Sequence, residues 1–180
     1  MVGTMPHARD TTARIAKELW RPESFDLSPG EFQSRFDAVY AIAEGPATWW
    51  YLGGAANDYL RHQPQSIVVP AELPQLLLGS AIVDGRIVGL KLLTRLSSDR
   101  DEIIVAICNA LDSQNESEVL GGLHELGNFL ERMGPTTPIP TMELLPRLRK
   151  VHLSSPEWLA TRSQQLSRWL AELSLHFPVV

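Results

Sequence analysis

Three acids close together, Asp99, Asp101 and Glu102, offer the paired carboxylates of general acid–base chemistry, in which one group holds a proton while its neighbour stays charged. Their position speaks for a different role. Ser98-Asp99 opens a helical pattern, where an acid caps free N–H groups and meets the positive end of the helix dipole. Cys108, the single thiol, recurs with Ile104 and Leu111 on one apolar stripe, so it reads as a small buried hydrophobe; a nucleophile wants a basic, accessible setting. His124-Glu125 contains the elements of an acid–base pair. Adjacent helical residues diverge by about 100°, however, so the spacing predicts two solvated side chains that do not face each other. There is no GxSxG elbow, GxxxxGK loop or GxGxxG turn, and Gly53-Gly54 and Gly121-Gly122 follow helical residues rather than strands. Without a CxxC pair or an HxxxH helix, no metal or cofactor is expected, and no catalytic residue is assigned.

Trp49-Trp50-Tyr51 places three large rings in succession on a helix, too many for one core, so at least one should lie near the surface, where such residues are common at binding hot spots. The 180 residues are 44% apolar and 21% charged, an ordinary folded mixture with room for one domain. A net charge of -5 argues against nucleic acid, which needs many cations at phosphates. One cysteine excludes an internal disulfide. The opening residues lack an apolar signal core, and the most apolar run, Leu73 to Val83, falls short of the ~20 residues that span a bilayer, so a cytoplasmic protein with no membrane partner is expected.

These residues need elements to hold them, and the apolar spacing is helical throughout. Residues 1–28 read as a polar lead with a short helix, capped at Thr11 or Thr12 and carrying Ile15, Leu19 and Trp20. Residues 29–180 then form a single helical-repeat domain. Ser28-Pro29-Gly30-Glu31 is a helix start, Gly45-Pro46 separates two helices, and a hairpin over 31–62 follows, weakened by Gly53-Gly54. Further hairpins are expected over 73–97, turning at Asp84-Gly85, over 99–134 and over 141–175. Asp-Gly between apolar runs is also a β-hairpin signal, but Leu90, Leu93 and Leu96 against Lys91, Thr94 and Arg95 run at a period of 3.6. The C-terminal run Leu175-His176-Phe177-Pro178-Val179-Val180 is apolar enough to act as a lid or a partner contact.

The hairpins repeat. Leu90, Leu93 and Leu96 map onto Leu123, Leu126 and Phe129 at a shift of 33, and Leu126, Phe129 and Leu130 onto Leu166, Trp169 and Leu170 at a shift of 40. Leu73-Pro74-Gln75-Leu76 and Leu145-Pro146-Arg147-Leu148 share Leu-Pro-x-Leu. In these motifs the chain resembles HEAT-type repeats from about 73 to 175. The resemblance implies antiparallel helical hairpins stacked as a short α-α solenoid that binds through its row of second helices. The repeat shifts place Lys91, His124 and Gln164 in one column of that row and Arg95, Asn128 and Arg168 in another; with Trp49 and Trp50 these are the candidate partner-binding residues. Polar but mixed in charge, the columns suit another protein or a peptide, so the expectation is a non-enzymatic binding or scaffold module: a subunit, an inhibitor or an immunity-type partner. The competing reading is a helical enzyme or small-molecule binder with a pocket between the 31–62 hairpin and the repeats. Charge is uneven: residues 97–131 carry -7 and residues 132–168 carry +4, with Arg147, Arg149 and Lys150 the densest basic spot.

Overall fold

The structure, a computed structural model, describes residues 7–133 and 141–176. Every regular element among them is helical, and the β-hairpin at Asp84-Gly85 is absent. Two compact units divide the chain at Arg95 and Leu96.

In the first unit α1 (His7–Leu19) and a 3-10 turn at Pro22–Asp26 precede α2 (Pro29–Tyr40), α3 (Gly45–His62), α4 (Glu72–Leu78) and α5 (Val83–Leu96). Helix α1 begins well before the expected cap, so Thr12 lies within it, its Oγ1 3.3 Å from the Thr48 hydroxyl of α3. Ala16 and Leu19 are buried as α1 packs along α3 and, to a lesser extent, α2. The start of α2 follows its sequence signal closely: the Ser28 hydroxyl accepts from the Glu31 N–H, the Glu31 carboxylate accepts from the Ser28 N–H at 3.0 Å, and Pro29 takes the first turn. The two hydrogen bonds to Ser28 hold the Glu31 carboxyl below its usual range.

Aromatic packing ties α2 to α3. The Phe32 and Tyr59 rings stack at 4.0 Å between centroids, and the Tyr59 hydroxyl donates to the Leu27 carbonyl at 2.9 Å. Gln33 then pins the extended connector after α3: its amide donates to the Val68 carbonyl at 3.0 Å and accepts from the Val68 N–H at 2.7 Å, beside the buried Ile67.

Two expectations for residues 73–97 change. The first helix stops at Leu78, short of the expected turn at Asp84-Gly85, because Gly79 closes it and the Ser80 hydroxyl accepts from the Ile82 N–H to start a new turn. Asp84-Gly85 therefore lies inside the first turn of α5 instead of between the helices. Helices α4 and α5 approach closely at Gly89, where a Cβ would sit 2.8 Å from the Leu78 nitrogen.

The second unit holds α6 (Arg100–Leu111), α7 (Glu116–Met133), α8 (Thr141–Ser154) and α9 (Glu157–His176). Helix α6 pairs with α7 and α8 with α9; α6 also packs on α8, and α7 on α9. One capping device opens both α6 and α7. Asp99 Oδ1 accepts from the Asp101 and Glu102 N–H groups while the Ser97 hydroxyl donates to Glu102; Asn115 Oδ1 accepts from Ser117 and Glu118 while the Ser113 hydroxyl donates to Glu118. The acids at 99 and 102 are thus engaged in helix initiation. At the start of α9 the Pro156 carbonyl accepts from Leu159 and Ala160, while the Ser154 hydroxyl donates back to the Lys150 carbonyl. The C-terminal run from Phe177 on, expected to act as a lid or a partner contact, and the end of the expected 99–134 hairpin lie outside the described residues.

Candidate functional site

The candidate residues fall into three groups. Lys91 and Arg95 are on α5 in the first unit, Lys91 half-buried and Arg95 exposed. Trp49 and Trp50 are also in the first unit, on α3, and both are half-buried. His124 and Asn128 on α7, with Gln164 and Arg168 on α9, belong to the second unit, and all but the half-buried Asn128 are exposed.

Trp50 belongs to an aromatic cluster, whereas Trp49 packs partly buried against the apolar core of the first unit. Trp20, arriving from the end of α1, meets Trp50 edge to face at 5.4 Å and Tyr51 at 6.0 Å, and its indole N–H donates to Asp58. Trp50 and Tyr51 lie 4.9 Å apart. With rings this close the space between them is filled, so the cluster is packing and leaves no room for a cation between its faces. The Trp50 indole N–H is buried without a hydrogen-bond partner.

The α7 group departs from the sequence expectation. Glu125 is only 5% exposed, and its carboxylate is met by the side chain beside it: His124 Nδ1 lies 3.2 Å from Oε1, and the Asn128 amide donates to Oε2 at 3.3 Å. Two solvated neighbours were expected. Backbone directions 100° apart do not prevent contact when the imidazole folds back over its own helix, which leaves it 63% exposed above a buried acid. This orients the imidazole as a carboxylate does in a catalytic triad. Among the described residues, however, no hydroxyl, thiol or amine is hydrogen-bonded to His124 as a nucleophile. The arrangement can present an oriented imidazole and a carboxamide side by side on one helix surface.

Gln164 and Arg168 sit one turn apart on α9, beside the stretch of that helix that faces α7, where Gly127 makes room for Arg162 and Leu166. The basic spot at 147–150 is largely answered from within: Asp112, the C-cap of α6, accepts from Arg147 Nε at 2.7 Å and lies 3.6 Å from Lys150 Nζ. Arg147 also donates to the Glu143 carbonyl. Cys108 is buried, and burial pushes its thiol upward.

Among the described residues, two clefts can be placed beside these groups. One, of about 400 Å³, lies in the first unit among Glu18, Arg21, Ser24 and Arg35. The other, of about 170 Å³, lies in the second unit where the α6–α7 and α8–α9 turns meet. Among the described residues no three His, Cys, Asp or Glu side chains converge to hold a metal ion, and no helix is long and apolar enough to cross a membrane.

Comparison with known proteins returns no matching family model, no similar curated protein and no similar solved structure.

Proposed function

We propose that this chain is a non-enzymatic protein- or peptide-binding module, a scaffold or a subunit, inhibitor or immunity-type partner in a larger assembly, whose second unit is a short HEAT-like stack of helical hairpins. The observation that carries the reading is the order of packing: α6 with α7, α8 with α9, then first helix on first and second on second. Repeat arrays pack this way because each hairpin buries its apolar face only against its neighbour, and the second helices are left side by side with one polar row facing out. His124, Asn128, Gln164 and Arg168 make up that row. It mixes an imidazole, two carboxamides and a guanidinium, which suits the hydrogen-bonding groups of a polypeptide better than the uniform charge of phosphates.

The test is capture of a partner from the native cell by the parent chain and by a Gln164→Glu, Arg168→Glu variant, both checked for the same melting temperature. A partner retained by the parent and lost by the variant supports the reading. Equal capture by both overturns the α9 row as the binding surface.

A further inference from the structure

Helix α8 turns two of its sides to neighbours and leaves a third bare. Toward α6, Arg147 and Lys150 reach Asp112. Toward α9, the Leu148 carbonyl accepts from the Ser163 hydroxyl, and His152 Nδ1 lies 3.2 Å from the Ala160 carbonyl. Met142, Pro146, Arg149 and Leu153 recur at i, i+4, i+7 and i+11, so they share one stripe, and it faces neither helix. All four are exposed. Met142 at 79% and Leu153 at 73% stand at the two ends of the stripe, and among the described residues only Val68 is a comparably exposed large apolar side chain. Apolar surface left in water on this scale is free energy that a covering partner recovers.

The charges beside the stripe name the occupant. Glu143 borders it and Arg149 interrupts it; both are exposed, and among the described residues neither charged group is engaged in an ion pair or hydrogen bond. A second α8, laid antiparallel on the first about a two-fold axis between Arg147 and Leu148, sets Met142 of each copy against Leu153 of the other and Pro146 against Arg149. Glu143 of each copy then comes within about one turn of Arg149 of the other. The two guanidiniums approach the axis and repel each other, and the two Glu143 carboxylates offset that repulsion. The stripe is thus complementary to itself in both its apolar and its charged positions, as a two-fold interface requires. We propose that the chain forms a two-fold dimer through antiparallel α8 helices. One helix face offers less than the ~800 Å² per partner of a standard interface, so the association is weak, half complete at roughly 10–100 μM. Gln164 and Arg168 lie outside this contact, and the proposal is independent of the partner-binding reading.

The experiment is sedimentation equilibrium of the full chain over concentrations from well below to well above that range. The mass should rise from one chain to two and stop there. Leu153→Lys and Glu143→Arg, both at exposed positions and checked for the parent's melting temperature at low concentration, should each raise the half-association concentration about tenfold. Combining Glu143→Arg with Arg149→Glu re-creates the opposite charges in reversed order and should bring it back toward the parent value. Leu120→Lys, at an exposed apolar position on α7, is the control and should leave association unchanged. A mass of one chain at every concentration overturns the proposal and leaves the stripe to a different protein. Equal losses from Leu120→Lys and Leu153→Lys overturn it in favour of non-specific apolar contact. A charge reversal that restores nothing overturns the antiparallel pairing of α8 with α8.

Discussion

Trp20 and Asp58, brought together from the end of α1 and the last turns of α3, share a hydrogen bond of 2.6 Å from the indole N–H to a carboxylate oxygen. The indole can lie this close because the helix beneath it has no side chain: an added Cβ at Gly54 would stand 2.7 Å from three atoms of the ring. Gly54→Ala should therefore force the indole off the helix and destabilise the fold by about 1–3 kcal/mol, despite the better helix propensity of alanine. Gly30→Ala, in a helical position with nothing within 4 Å, is the control and should be neutral or stabilising by up to about 1 kcal/mol. Chemical denaturation of the two variants decides; equal stabilities would mean that the Trp20 contact is not made.

That contact also marks the limit of what patterns reveal. Local signals were legible: the Ser28–Glu31 box, the cap at Asp99 and the burial of Cys108 all depend on residues within one turn of each other. Gly53-Gly54 reads as a weakness in a helix, since propensity counts only the helix itself and knows nothing of an indole approaching from 34 residues away. Glu125 was misjudged for a related reason. Spacing assigns a face to a residue, whereas burial depends on what packs over that face, and the His124 and Asn128 side chains that meet its carboxylate are in positions the helical wheel marks as solvent. Asp84-Gly85 and Gly79 show the same ambiguity: either glycine can end a helix, and only the Ser80 contacts select Gly79.

Leu93, Leu126 and Leu166 hold the same register in the sequence repeat and are each at most 4% exposed. Truncation to alanine at any one of them should cost about 2–5 kcal/mol, a large share of the net stability of a domain. Leu120→Ala on the exposed side of α7, at 42% exposure, should cost much less. A melting series over the four variants tests the register, which fails if Leu126→Ala is no more harmful than Leu120→Ala.

Asp112 and Arg147 join the end of α6 to α8 through a hydrogen bond of 2.7 Å, with both side chains more than 30% exposed. Hydrogen bonding to Asp112 keeps the guanidinium firmly protonated. Solvent and salt screen such a pair, so a double-mutant cycle with Asp112→Asn and Arg147→Gln should give a coupling of about 0.2–1 kcal/mol that shrinks in high salt. A coupling that is zero at low salt would show that the ion pair is not formed in solution.

Cys108 carries the pH prediction. Burial raises its thiol, with Glu143 and Asp112 adding to the rise and Arg147 opposing it. The folded chain thus holds the proton at a pH where the unfolded chain, titrating near about 8.5, has released it. The unfolded state then binds fewer protons than the native state, and stability must fall as pH climbs from about 8.5 toward the folded value. Cys108→Ala removes that term. The variant starts out less stable because it leaves a small cavity, but its deficit relative to the parent should narrow steadily as pH is raised through this window. Denaturant midpoints of the two proteins, measured in parallel from neutral to alkaline pH, follow the gap directly. Alkylation offers an independent check: iodoacetamide should modify the native thiol only as fast as the fold opens, with a rate that rises in step with added denaturant. A gap that stays constant with pH, together with rapid native-state alkylation, would place the thiol in an accessible environment and remove the burial on which this prediction rests.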